Sequence, residues 1–96
     1  MFKASAQVPT RSGWKYVQQL GKHWSHKLAV ELHEPQAVVR FSSALATMRS
    51  DQERITTLIE AEDQETLVRM QRVVQEHLDR FAFREAPLAF PWSMID

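Results

Sequence analysis

Two short segments hold the side chains best suited to chemistry. The first, Arg11 to Lys27, carries Tyr16, His23, His26 and Lys27 and contains no Asp or Glu. Imidazoles gain a proton near neutral pH and also ligate metals, so this set favours anions as pH falls. The second, Val73 to Glu85, carries His77, Arg80 and Arg84. Two guanidinium forks four residues apart on a helix can clamp a carboxylate or a phosphate. Tyr16, His23, His26, Lys27, Arg80 and Arg84 are therefore the candidate ligand-binding residues, and the chemistry they imply is recognition of a small anion.

Each has a plainer reading. His23 and His26 are weak metal candidates, because a Zn or Fe site needs a third or fourth ligand. His77 or the His33–Glu34 pair would have to supply it from elsewhere in the fold. At a helix end, His26 also suits the negative pole of the dipole. His77 falls within an apolar stripe, where a histidine is ordinarily a core residue with partnered ring nitrogens. Glu76 and Arg80 are spaced for a surface ion pair worth about 0.3–0.5 kcal/mol. Arg11, Lys15, Lys22 and His26 form a basic face that reads as solvated. It is too small for a nucleic-acid footprint, and the pI of about 6.9 points the same way. No Ser-His-Asp order, nucleophile elbow or glycine-rich phosphate loop is present, so no catalytic residue is assigned.

The charge distribution reinforces the anion reading. Lys+Arg and Asp+Glu balance at 12 each, yet residues 1–30 carry five bases and no acid. A basic segment beside an acidic one sets a field that draws anionic ligands or partners. Ninety-six residues make one domain, with residues 87–96 as an apolar tail. A chain of this size buries roughly 65 % of its unfolded surface, enough for one sheet-and-helix core. The absence of cysteine excludes thiol catalysis, thiolate metal sites and disulfides, and fits a cytoplasmic setting. No apolar run is long enough to span a membrane. The acid-free start resembles a transit peptide superficially, but it reads as a strand and a core-facing helix.

The elements that must position these groups follow from periodicity. Phe2, Ala4, Ala6 and Val8 alternate with polar residues as a half-buried strand that Pro9 ends. Thr10 offers an N-cap to a helix running to about His26, with Trp14, Val17, Leu20, Gly21 and Trp24 on one side. Alternation over Leu28–His33, the turn at Glu34-Pro35-Gln36 and Ala37–Phe41 predict a hairpin. Ser43–Arg49 is a weaker strand, diluted by Ala and Ser. Arg54–Glu60 is another, with Ile55, Thr57 and Ile59 on one face. Asp63 caps a second helix whose stripe is Leu67, Met70, Val74, His77, Leu78 and Phe81. The proline-rich tail lies extended against the body, with Phe90 and Trp92 buried at a sheet edge or a second subunit. The expected fold is α+β, β-α-β-β-β-β-α plus the tail: an antiparallel meander of about five strands with both helices on one face. Its order resembles one half of the TATA-binding-protein fold, an analogy of topology alone.

Arg11-Ser12-Gly13-Trp14-Lys15-Tyr16 through His23-Trp24-Ser25-His26-Lys27, together with His77-Leu78-Asp79-Arg80-Phe81-Ala82-Phe83-Arg84, resemble the bacterial family called domain of unknown function twenty-two-eighteen. The likeness runs from Ala4 to Trp92. It implies a domain without an established activity, found alone and appended to siderophore-interacting proteins. Relatives often carry cysteine where Gly21 stands and Gly-x-Cys where Ala44-Leu45-Ala46 stands, so no thiol role can operate here. With no flavin or nicotinamide fingerprint, the chain is expected to need no cofactor and not to be the reductase itself. The expected function is a non-enzymatic binding or accessory module in iron or siderophore handling. Its expected partners are a siderophore or flavin-like anion and a siderophore-reductase protein, not nucleic acid or membrane. The alternatives are a small enzyme with His23 or His77 as general base, and a homo-oligomeric interaction domain, for example a homodimer.

Overall fold

The computed structural model describes residues 1–95. The elements are β1 (Phe2–Pro9), α1 (Gly13–Trp24), β2 (Ala29–His33), β3 (Gln36–Arg40), β4 (Ala44–Ser50), β5 (Arg54–Ala61), α2 (Gln64–Phe81) and β6 (Ser93–Ile95). All strand pairs are antiparallel, in the order β2-β3-β4-β5-β1-β6. The fold is α+β, as expected, but the sheet has six strands rather than about five. Ser93–Ile95 extends it by pairing with Lys3–Ser5 of β1.

Register explains why both helices share one face. Ala4, Ile59, Ala46 and Val39 lie opposite one another across four strands, and all are buried. Ala6, Thr57, Met48 and Ala37 form the next row, also buried. Since side chains alternate faces, these two rows make one apolar floor. Thr57 is the polar exception, and its hydroxyl is satisfied by donating to the Ala6 carbonyl at 3.0 Å. The opposite face is half-buried along its middle, from Ser5 through Leu58 and Thr47 to Val38, and carries the ion pairs Arg40–Glu31 (3.1 Å) and Lys3–Glu60 (3.9 Å). The diluted strand β4 forms because β3 and β5 pair with it on both sides, so tertiary context overrides its propensity.

Against this floor α1 buries Gly13, Tyr16, Val17, Leu20, Gly21 and Trp24, while α2 buries Thr66, Leu67, Met70, Val74 and Leu78. Asp63 caps α2 as its sequence position predicts, accepting from the Thr66 backbone N–H at 2.7 Å. That hydrogen bond holds its carboxyl below the usual aspartate range. The start of α1 corrects the sequence reading. Thr10 does not cap it: Ser12 stands at the N-cap position without a side-chain cap bond. The Thr10 hydroxyl accepts from the Ser12 N–H at 3.1 Å and donates to the carboxylate of Glu85. At its other end α1 stops at Trp24, leaving His26 and Lys27 in the turn beyond.

The tail crosses α2 before it reaches the sheet. Leu88 is buried, and its N–H donates to Asp79 at 2.9 Å. Trp92 is half-buried, donates from Nε1 to Gln75 at 3.1 Å and stacks on Phe90. The two aromatic residues therefore pack on this chain's own helix. It is β6 beyond them that covers the sheet edge.

Candidate functional site

The two helices run antiparallel. The C-terminal end of α1 meets the second half of α2, and the start of α1 meets the segment after α2. Trp24 lies against His77 with ring centroids 5.0 Å apart, and Tyr16 reaches Glu85. This packing divides the six candidates into separate groups.

His23 is drawn into contact with the second segment. Its ring centroid lies 6.1 Å from that of His77 and 5.8 Å from that of Phe81, edge-on to the latter. Trp24, turned inward from the adjacent position, is buried between His77 and Phe41. His77 is half-buried, and its Nδ1 lies 2.7 Å from the Val73 carbonyl. A carbonyl can only accept, so Nδ1 carries the proton and Nε2 is left with its lone pair. His77 thus packs against the core with one ring nitrogen partnered by the backbone. His26 and Lys27 are exposed in the turn after α1, and Arg80 is exposed on α2, three residues from His77 and adjacent to Phe81. The ion pairs among the described residues do not include Glu76–Arg80. The Arg80 guanidinium is therefore not committed to that partner.

Tyr16 does not belong to this group. Seven residues separate it from His23, about 10 Å along a helix. It is buried, and its hydroxyl donates to Glu85. Glu85 also accepts from the Thr10 hydroxyl at 3.0 and 3.1 Å. The hydrogen bond to Glu85, burial and the charge of that carboxylate raise the Tyr16 phenol above its usual pKa of 10.0, with Ser12 and Arg84 opposing weakly. Sequence reasoning placed Tyr16 on an acid-free ligand face; the fold supplies an acid from 69 residues away. Arg84 lies beyond the end of α2, with its guanidinium 5.7 Å from the ring centroid of Phe83. It is off the helix, so its spacing from Arg80 is not set by helical geometry.

The remaining basic residues of that face, Arg11 before α1 and Lys15 and Lys22 on it, are exposed, as a solvated face requires. His33 and Glu34 stand at the β2–β3 turn. Among the described residues no group of three or more His, Asp or Glu is placed to hold a metal ion. A groove of about 540 Å³ along the first turns of α2 is lined by Gln64, Glu65, Val68, Arg69 and Arg72, none of them a candidate. The cluster itself combines an exposed His23 with half-buried His77 and Phe81. Phe81 is the member that sequence reasoning placed only in the core, although its position four residues after His77 put it on the same helical face.

No helix among the described residues is long and apolar enough to cross a membrane. Similarity searching finds no match among curated proteins. The NMR structure of PA4090 from Pseudomonas aeruginosa is similar throughout: 32 % identity, TM-score 0.81, covering 97 % of this chain and 96 % of that one. Residues 5–93 match the family described as "Uncharacterized protein conserved in bacteria (DUF2218)". The segments that suggested the resemblance, with His23 in one and His77 in the other, meet across the α1–α2 junction, and the chain belongs to this bacterial family.

Proposed function

We propose that this chain is a small non-enzymatic binding module that takes an anionic ligand over the exposed end of α1. The observation that supports this reading is the convergence of His23 with His77 and Phe81. It joins two polar rings to an aromatic edge, and His26 and the cationic side chains of Lys27 and Arg80 follow within a few residues. Stacking surface plus positive charge suits a planar or multiply charged anion, such as a catecholate or carboxylate siderophore or a flavin phosphate. The family resemblance adds iron or siderophore handling as the setting. Tyr16 and Arg84 are not part of this site.

The test is calorimetric titration of metal-free protein with flavin mononucleotide and with iron-free catecholate and carboxylate siderophores. Saturable binding to the wild-type chain is expected. It should weaken with added salt, since the groups are exposed. His23→Ala combined with Lys27→Ala should abolish binding and leave the melt intact, because both side chains are exposed. Equal binding by wild type and double variant, or no binding by either, refutes the reading.

A further inference from the structure

We propose that His23 and His77 together hold one divalent late-transition-metal ion of the Zn(II) and Cu(II) class, with the remaining coordination positions open. The proposal shares its site with the function proposed above but does not depend on the anion.

Three observations carry it. The first is tautomer. His77 donates Nδ1–H to the Val73 carbonyl at 2.7 Å. A metal-ligating histidine ordinarily makes this outer contact, which fixes the ring and leaves Nε2 as the ligand. The second is separation. With metal–nitrogen bonds of about 2.0–2.1 Å, two imidazoles on a tetrahedral ion have ring centroids about 5 Å apart. The centroids here are 6.1 Å apart, with the rings inclined at 42°. Because His23 is exposed, a swing of its ring by about 1 Å closes that difference without disturbing the core. The third is restraint. Trp24 lies against the His77 ring at 5.0 Å and Phe81 lies against the His23 ring at 5.8 Å, so both imidazoles are flanked before any ion arrives.

The donor set decides the kind of ion. Two neutral imidazoles suit Zn(II), Ni(II) and Cu(II), with Cu(II) bound most tightly, whereas Mg(II) and Ca(II) require oxygen ligands. Because no third His, Asp or Glu is grouped with the pair among the described residues, such an ion keeps positions for water or for an external oxygen or nitrogen donor. That is the coordination of an ion that recruits a ligand, unlike a closed structural site.

The experiment uses untagged chain, stripped with a chelator and then dialysed. It is titrated with zinc chloride and copper(II) sulfate, followed by calorimetry and by imidazole ring signals in NMR for the zinc titration. The expected result is one ion per chain, with copper tighter than zinc and shifts confined to the His23 and His77 rings. His23→Gln, an exposed position that leaves the fold intact, and His77→Gln should each weaken binding at least tenfold. His26→Gln and His33→Gln should not change it. No saturable binding, unchanged affinity in His23→Gln, or loss of binding in His26→Gln overturns the proposal. A chain that binds metal but no anion overturns the proposed function and leaves this site standing; a chain that binds anions when metal-free but no metal does the reverse.

Discussion

Replacing Tyr16 with Phe tests whether that phenol is structural. The substitution keeps the buried ring and removes only the hydroxyl that donates to Glu85. Hydrogen bonds to charged acceptors contribute about 1.5–3 kcal/mol. Glu85 is exposed and retains the Thr10 hydroxyl at 3.0 Å, so no acceptor is orphaned. The expected loss is therefore near or just below that range, about 1–1.5 kcal/mol. In a domain of this size that lowers the melting temperature by about 5–10 °C at pH 7. The sign of the pH dependence is fixed by the raised phenol pKa. The folded chain holds this proton more tightly than the unfolded chain. The contribution is thus complete below the unfolded value of about 10 and is lost as pH rises from there through the raised folded value. The gap between wild type and Tyr16→Phe should consequently narrow above about pH 10. Tyr16 is the single tyrosine, so phenolate absorbance reports its titration directly. Combining Tyr16→Phe with Glu85→Ala should show coupling of about 1 kcal/mol. Melts of the two proteins that coincide at pH 7, or a phenol that titrates as it does in the unfolded chain, would refute the reasoning. Loss of anion binding in a folded Tyr16→Phe would return Tyr16 to the ligand site.

Further outcomes follow from packing. A Cβ on Gly21 would meet Leu32 Cδ1 at 3.0 Å, the movable tip of a half-buried side chain, so Gly21→Ala should hold or raise the melting temperature. At Gly13 the new Cβ would meet Ser50 Cβ at 3.0 Å and Ile55 Cγ1 at 3.1 Å, atoms anchored in the sheet, so Gly13→Ala should lower it; the reverse order would mean the α1 contacts are misplaced. Leu88→Ala should cost about 2–3 kcal/mol by thermal melt, because that side chain is the tail's buried anchor in the core. Deleting residues 87–96 should cost more, since Trp92 and β6 leave with it. An unchanged melt after the deletion would show the tail to be dispensable.

What could be read from the chain was whatever repeats locally. The stripe Leu67, Met70, Val74, Leu78 appears on the inner face of α2, with Asp63 at its head. The alternation of Leu28, Val30 and Leu32 with Ala29, Glu31 and His33 reappears as half-buried against exposed positions. Long-range encounters were not legible. Ser93-Met94-Ile95 is three exposed residues whose strand character comes wholly from pairing with β1. Thr10 has the right chemistry for a cap, but Glu85 engages its hydroxyl from the far end of the chain. Tyr16 left the ligand face for the same reason. His23 and His77 were each visible as candidates, whereas their contact depends on how α1 crosses the sheet relative to α2.

The place of β1 in the sheet bears on the order of assembly. Strands β2 to β5 are neighbours both in sequence and in space, so short turns can bring each pair together at small entropic cost. β1 has no such partner. Ala4 lies opposite Ile59 on one side and Met94 on the other, so the strand must await segments made far later in synthesis. Pairings of such long sequence separation slow folding, because the loop must close before any contact compensates for it. Sequence separation therefore favours closing the meander before the oldest part of the chain takes its place beside β5. Until then the apolar side of β1 and the part of α2 that covers it share one unfinished surface, and a nascent chain is most exposed to misassociation there.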